Sequence, residues 1–213
     1  MILRRDYSFK ESWTFYIILI NAVFFAIQIF FPPFTEILSL TPSLALSGHY
    51  YQFVTYMFLH GNLWHIVFNM FVFAIFGFPL ELTLGKIRFL TVYMISGIGS
   101  AAFYLLIMTL MMGGMDIGLL GASGAIFGVL AAYAFKYPRQ WVYIFGFIPL
   151  PASVLIVFLL IEETFLGALG LQPGIANFGH VGGIITGLVI MLYWRLREER
   201  GRSLPREYRF VWE

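Results

Sequence analysis

The sequence predicts an all-α, polytopic membrane protein of six transmembrane helices, with a short central fourth helix and an interfacial first outer loop. Three observations predict it. Of 213 residues, 60 % are hydrophobic and only 11 % charged, with a mean hydropathy of +0.85; a soluble domain carries about 25 % charged residues. Six apolar segments, roughly 13–31, 63–80, 88–112, 121–137, 141–163 and 176–195, are candidates for crossing a bilayer, which takes about 20 residues. All thirteen basic residues then fall in alternate gaps. Arg4, Arg5 and Lys10 precede the first segment, Lys86 and Arg88 follow the second, and Lys136 and Arg139 follow the fourth. Arg195, Arg197, Arg200, Arg202, Arg206 and Arg209 follow the sixth. Positive charge stays in the cytoplasm, so both termini are expected there, in a cell membrane. The connections near 32–62, 113–120 and 164–175, without Lys or Arg, are expected outside.

The chain reads as one six-helix domain over residues 1–213, with residues 1–12 and 196–213 as short cytoplasmic tails. Its first apolar run ends at Pro32-Pro33 and is long enough to span, which suits a retained helix rather than a signal peptide. The 32–62 connection is amphipathic and aromatic, with Phe34, Ile37, Leu44, Tyr51, Phe53 and Phe58, and is expected to fold in the membrane interface. Asn62 is a good N-cap for the second helix, and His65 and Asn69, four apart, then share a face. The third segment is long enough to tilt and ends in a Gly-rich turn before Asp116.

The fourth helix is the informative one. From Ser123 to Tyr137, before Pro138, it has about fifteen residues, or ~21 Å against a hydrocarbon core of ~30 Å. Lys136 and Arg139 fix its inner end, so Ser123 should lie on the order of 10 Å below the outer surface. Irregular backbone at that depth must be buried in protein or line water. A water-filled pocket open to the outside is therefore expected, with the free N–H groups of a helix start aimed into it. The fifth segment carries Pro149 and Pro151, expected to kink it, and Glu162-Glu163, expected at its outer end; residues 164–175 have the composition of a mobile cap. On the sixth, His180, Gly183 and Gly187 form one stripe, matched by Gly124, Gly128 and Ala132 on the fourth. Small residues let backbones approach, which would bring His180 to Ser123.

A Ser hydroxyl attacks a carbonyl only when a base takes its proton, and His is the natural base near neutral pH. The usual third member is a carboxylate that orients the His. The outer acidic residues are Glu36, Asp116, Glu162 and Glu163, and none is placed at a depth to reach His180. The expectation is a Ser123–His180 dyad, with ring packing or Asn177 orienting the imidazole. Acyl transfer also creates an oxyanion that needs donors. The Ser123 N–H, the His65 ring and the Asn69 amide are the candidates.

His60-xxxx-His65-xxx-Asn69, Gly121-Ala122-Ser123-Gly124 and Gly179-His180-Val181-Gly182-Gly183 together resemble the rhomboid intramembrane serine proteases. The resemblance covers almost the whole chain. It implies a rhomboid-like bundle, nucleophile Ser123, base His180, and oxyanion donors at His65, Asn69 and the Ser123 backbone. Phe127 stands where the family commonly has a Tyr that stacks on the His. Tyr51-Gln52 stands where it has a Trp-Arg pair, and Glu81 matches a structural Glu that braces the first outer loop. His60 would shape the outer loop or hold water, and the small Gly121 and Gly124 suit a small side chain beside the cut bond. The implied partners are membrane lipid and transmembrane protein substrates, entering between the second and fifth helices as the 164–175 cap lifts.

Other classes are weaker. A net charge of +2 gives no nucleic-acid surface. No Cys and no HExxH occur, so neither a metal nor a cofactor is expected. A transporter or channel would account for Gly-interrupted helices, but no internal repeat or carboxylate pair within the membrane supports it. A catalytically inactive binder of membrane helices would need neither Ser123 nor His180.

Overall fold

The computed structural model describes residues 11–112, 115–144, 146–169 and 176–203. The described chain is mostly helical. Helix α1 is Trp13–Phe30, followed by three short helices α2 (Pro33–Leu38), α3 (Pro42–Leu46) and α4 (Gln52–Thr55). Helices α5 (Leu63–Leu84) and α6 (Lys86–Ile107) are joined at Gly85, whose φ of +81° suits only glycine. After a π-turn at Met108–Met112 come α7 (Ser123–Lys136), strands β1 (Trp141–Ile144) and β2 (Ile148–Pro151), α8 (Ala152–Leu169) and α9 (Ala176–Ser203). Helices α1, α5, α6, α8 and α9 are long and apolar enough to cross a membrane; α7, with 14 residues, is shorter.

One end of the bundle gathers basic residues. Lys86 pairs with Glu11 at 3.5 Å, and Arg88 with Glu198 at 2.8 Å. The residues expected to be functional sit at the opposite end, called here the far end.

The N-terminal half of the expected fifth helix is instead an antiparallel hairpin, with Trp141 opposite Pro151 and Ile144 opposite Ile148. The physical reason is local. Pro149 and Pro151 cannot donate in a helix interior, while Trp-Val-Tyr-Ile favours extended backbone and Gly146 turns at φ +81°. The helix therefore begins at Ala152 and runs to Leu169. Its end is six residues later than expected, which places Glu162 and Glu163 ~9 Å deeper than the helix terminus.

Helix α7 is apolar all round, and Ala125, Ile126, Val129, Leu130, Ala131, Ala132 and Ala134 are buried. Such a helix belongs at the centre. It meets α9 backbone to backbone: a Cβ added at Gly183 would lie 2.0 Å from the Gly124 carbonyl oxygen, and one at Gly187 2.4 Å from that of Gly128. Ser96 and Ser100 of α6 fill the other side, where a Cβ on Gly128 or Gly124 would clash with them.

Glu81 departs from what the resemblance implied. It lies ~27 Å along α5 from Leu63, at the basic end, away from the first connecting loop. There its buried carboxylate accepts from Ser12 Oγ (2.6 Å), Trp13 N (2.8 Å), Thr14 N (2.9 Å) and Thr14 Oγ1 (2.8 Å). It caps α1, accepting from its orphan N–H groups and favouring the positive end of the helix. The loop is tied by Gln52, whose amide accepts from Thr41 N (3.1 Å) and donates to Ile37 O (3.2 Å).

Candidate active site

Ser123 is the first residue of α7, and the strand leading to it is held from both sides. Leu40 and Leu119 exchange two backbone hydrogen bonds (2.9 and 2.8 Å), and Gly121 N donates to Tyr56 O at 3.0 Å. Gly121 takes φ +127°, and a Cβ there would lie 3.0 Å from the His65 ring and 3.5 Å from Ser123 Oγ. The turn into the helix thus needs glycine both for its dihedral and for space. It leaves the first-turn N–H groups of α7 without intrahelical acceptors.

The Gly contact between α7 and α9 brings Ser123 Oγ to 2.7 Å from His180 Nε2. Phe127, one turn below Ser123, stacks on the imidazole with centroids 4.4 Å apart and planes 15° from parallel. His65 lies across Gly121 from this pair, its main chain capped by Asn62 Oδ1 at 2.9 Å and its Nδ1 accepting from Gly61 N at 3.3 Å. One turn along α5, the Asn69 Nδ2 is buried and makes no hydrogen bond within the described protein. A buried amide donor without an acceptor is costly, and it suits an oxygen arriving from outside. Gly124 packs against Ser100 and Gly183, as a contact surface.

One group was not expected here. Glu163 is buried (8 % exposed), with Oε1 2.9 Å from His180 Nδ1. The two atoms are in contact, but the carboxylate oxygen lies off the line of the ring N–H, so Nδ1 has no well-aligned hydrogen-bond acceptor. Asn177, expected to help orient the ring, donates from Nδ2 to Glu163 Oε2 at 2.5 Å. Two adjacent Glu residues inside an apolar run were the available signal; taking residues 141–151 as helix displaced them. Asp116 stays outside the cluster and accepts from Ser43 Oγ at 2.9 Å on the surface. His49 is exposed against Leu44 O. Residues 170–175 of the expected cap lie outside the described residues. Among the described residues, no three His, Asp or Glu side chains are grouped to hold a metal ion.

His60 is buried edge-on to His65, with centroids 5.1 Å apart, and neither ring nitrogen has an aligned partner. Its backbone is pinned by Gln28, which accepts from His60 N at 2.9 Å and donates to His60 O at 3.2 Å. Burial, with neighbouring His65 adding to it, pushes its pKa down from 6.5 to about 3. The folded protein thus keeps His60 neutral where the unfolded chain would protonate it. This contribution is whole above about pH 6.5 and is lost as pH falls toward about 3. The thermal midpoint in detergent should fall between neutral pH and about pH 4, and His60→Phe should flatten that fall.

The fold and its far end define a polytopic membrane protein in which a serine at a helix start meets an imidazole from a neighbouring helix. The chain belongs to the rhomboid family: the Rhomboid domain model matches residues 47–197. It is 30 % identical to Rhomboid protease AarA of Providencia stuartii over 177 residues, covering 72 % of this chain and 59 % of that protein. It is 32 % identical to RHOMBOID-like protein 6, mitochondrial, of Arabidopsis thaliana over 151 residues, 71 % of this chain and 46 % of that one. It is 34 % identical to Rhomboid-type serine protease 2 of Emericella nidulans over 148 residues, 67 % of this chain and 26 % of that one. The chain thus spans between 26 and 59 % of the length of these relatives.

Proposed function

We propose that the protein is an intramembrane serine endopeptidase that cleaves transmembrane segments of other membrane proteins. The observation that carries this is the 2.7 Å contact between Ser123 Oγ and His180 Nε2 at the start of a short, central helix. Family membership supports the reaction class. Ser123 Oγ attacks the substrate carbonyl as its proton passes to His180 Nε2. The oxyanion is met by the Ser123 N–H, Asn69 Nδ2 and the His65 ring. His180 then gives the proton to the leaving amine, and water, activated by the same imidazole, releases the acyl group. The short α7 lets water reach Ser123 below the membrane surface. A substrate helix must unwind locally to expose a carbonyl, so helix-weakening residues near the cut should speed cleavage. By charge distribution the basic end is cytoplasmic and the site opens to the other side; α7, counted with the five longer helices, is the fourth of six spans.

A fluorophosphonate probe tests the nucleophile. Labelling is expected at Ser123, absent in Ser123→Ala and reduced by at least about 10²-fold in rate in His180→Ala. Labelling at another serine would remove the assignment.

A further inference from the structure

We infer that Glu163 is the positioning residue of the Ser123–His180 pair, making the site a three-membered Ser–His–Glu arrangement. This rests on the protease reading above. Phe127 lies nearly parallel to the His180 ring, which fixes the ring's plane. Stacking on a flat face does not distinguish one ring nitrogen from the other, so it cannot decide which carries the proton. Only the tautomer with its proton on Nδ1 leaves Nε2 free to accept from Ser123 Oγ. The negative charge of Glu163 Oε1, 2.9 Å from Nδ1, favours that tautomer, because a protonated ring nitrogen faces the carboxylate with its positive end, whereas a bare one would set a lone pair against it.

Glu163 is itself held for the task. Its Oε2 accepts from Asn177 Nδ2 at 2.5 Å, and Asn177 is buried, 3 % exposed. Asn177 and His180 stand three apart on α9, so one face of that helix presents both groups to the carboxylate. Gly167, one turn beyond Glu163 on α8, makes the approach possible: a Cβ there would lie 3.2 Å from Asn177 Cβ. The charged and titratable groups facing His180 are Glu163 and Glu162 from α8 and His65 from α5, with Ser123 from α7. Among the described residues, Glu163 alone of the carboxylates touches the ring.

In the reaction the Ser123 proton moves to Nε2, the Nδ1 proton stays on the ring, and Glu163 remains ionised beside the imidazolium. The proton on Nε2 then leaves with the amine. Glu163 steadies the transient positive charge and touches no substrate atom.

The test uses the full chain in detergent micelles, labelled with ¹⁵N-histidine. There are four His residues, and the spectrum of His180→Ala identifies the His180 signals. Wild-type His180 is expected as the Nδ1–H tautomer, and Glu163→Gln as a mixture or the Nε2–H form. For cleavage of a transmembrane substrate, Glu163→Gln should lower kcat about 10²- to 10⁴-fold with KM held within about threefold. Glu163→Asp, which keeps the charge, should recover part of kcat, and Glu162→Gln should stay within about threefold of wild type. A wild-type His180 protonated on Nε2 would overturn the proposal without any Glu163 variant having to fold. So would Glu163→Gln with unchanged tautomer and kcat. If wild type neither cleaves nor labels at Ser123, the protease reading fails, while the tautomer measurement still decides the Glu163 contact.

Discussion

Ser123→Ala is expected to lower the rate of substrate cleavage by at least about 10³-fold, ~4 kcal/mol of transition-state stabilisation, with the fold unchanged. The magnitude follows from what remains. Without the hydroxyl the site still holds a base and oxyanion donors, but the nucleophile held at 2.7 Å from His180 is gone. In triad hydrolases that leaves only the part of the acceleration due to binding and oxyanion stabilisation. The measurement is single-turnover cleavage of a transmembrane substrate in liposomes, alongside the thermal midpoint of both proteins. Ala at a helix start costs little, and Ser123 does not serve as the N-cap of α7, which is Ala122. A midpoint within a few degrees and a lost rate is the expected pair of results. Wild-type cleavage by the variant would refute the nucleophile.

Gly183→Ala is expected to have the largest effect on stability, a loss of about 3 kcal/mol, at the upper end for overpacking. The added methyl would sit 2.0 Å from the Gly124 carbonyl oxygen. The obstacle is backbone, so no rotamer change relieves it, and α7 must move off α9. That motion also separates Ser123 from His180, so probe labelling should fall with stability. Gly118→Ala is the comparison: its nearest neighbour would be Ser39 Oγ at 3.5 Å, and it should be close to neutral. Similar thermal midpoints for the two variants would show that the close approach carries little of the fold.

The helical outline was legible because lipid imposes a plain rule, a long apolar run for each crossing. Helices α1, α5, α6 and α9 follow from it. The Ser123–His180 meeting was legible for a second reason: glycines at four-residue spacing on two helices announce a close approach. Residues 141–163 misled because strand and helix are both apolar there, and only Pro149, Pro151 and the β-branched and aromatic run distinguish them. That error propagated to the site, since ending the helix at Glu163 left its carboxylate at the surface. Glu81 misled differently. A buried carboxylate announces that it needs donors, but the donors, at Ser12, Trp13 and Thr14, are almost seventy positions away in the chain, and no local pattern names them.

The backbone contact between α7 and α9 has a consequence for how the molecule should come apart. Association of helices in lipid gains nothing from apolar surface leaving water, and depends on close fit. Side-chain interfaces can be infiltrated by detergent tails, which substitute for Leu or Phe at little loss. A seam where carbonyl meets glycine offers such a tail no foothold. Helix α1, by contrast, presents Tyr16, Leu19, Val23 and Ile29 outward and is tied at its start to a single carboxylate. Harsh solubilisation should therefore strip the periphery first, and the two helices bearing Ser123 and His180 should be the last to part.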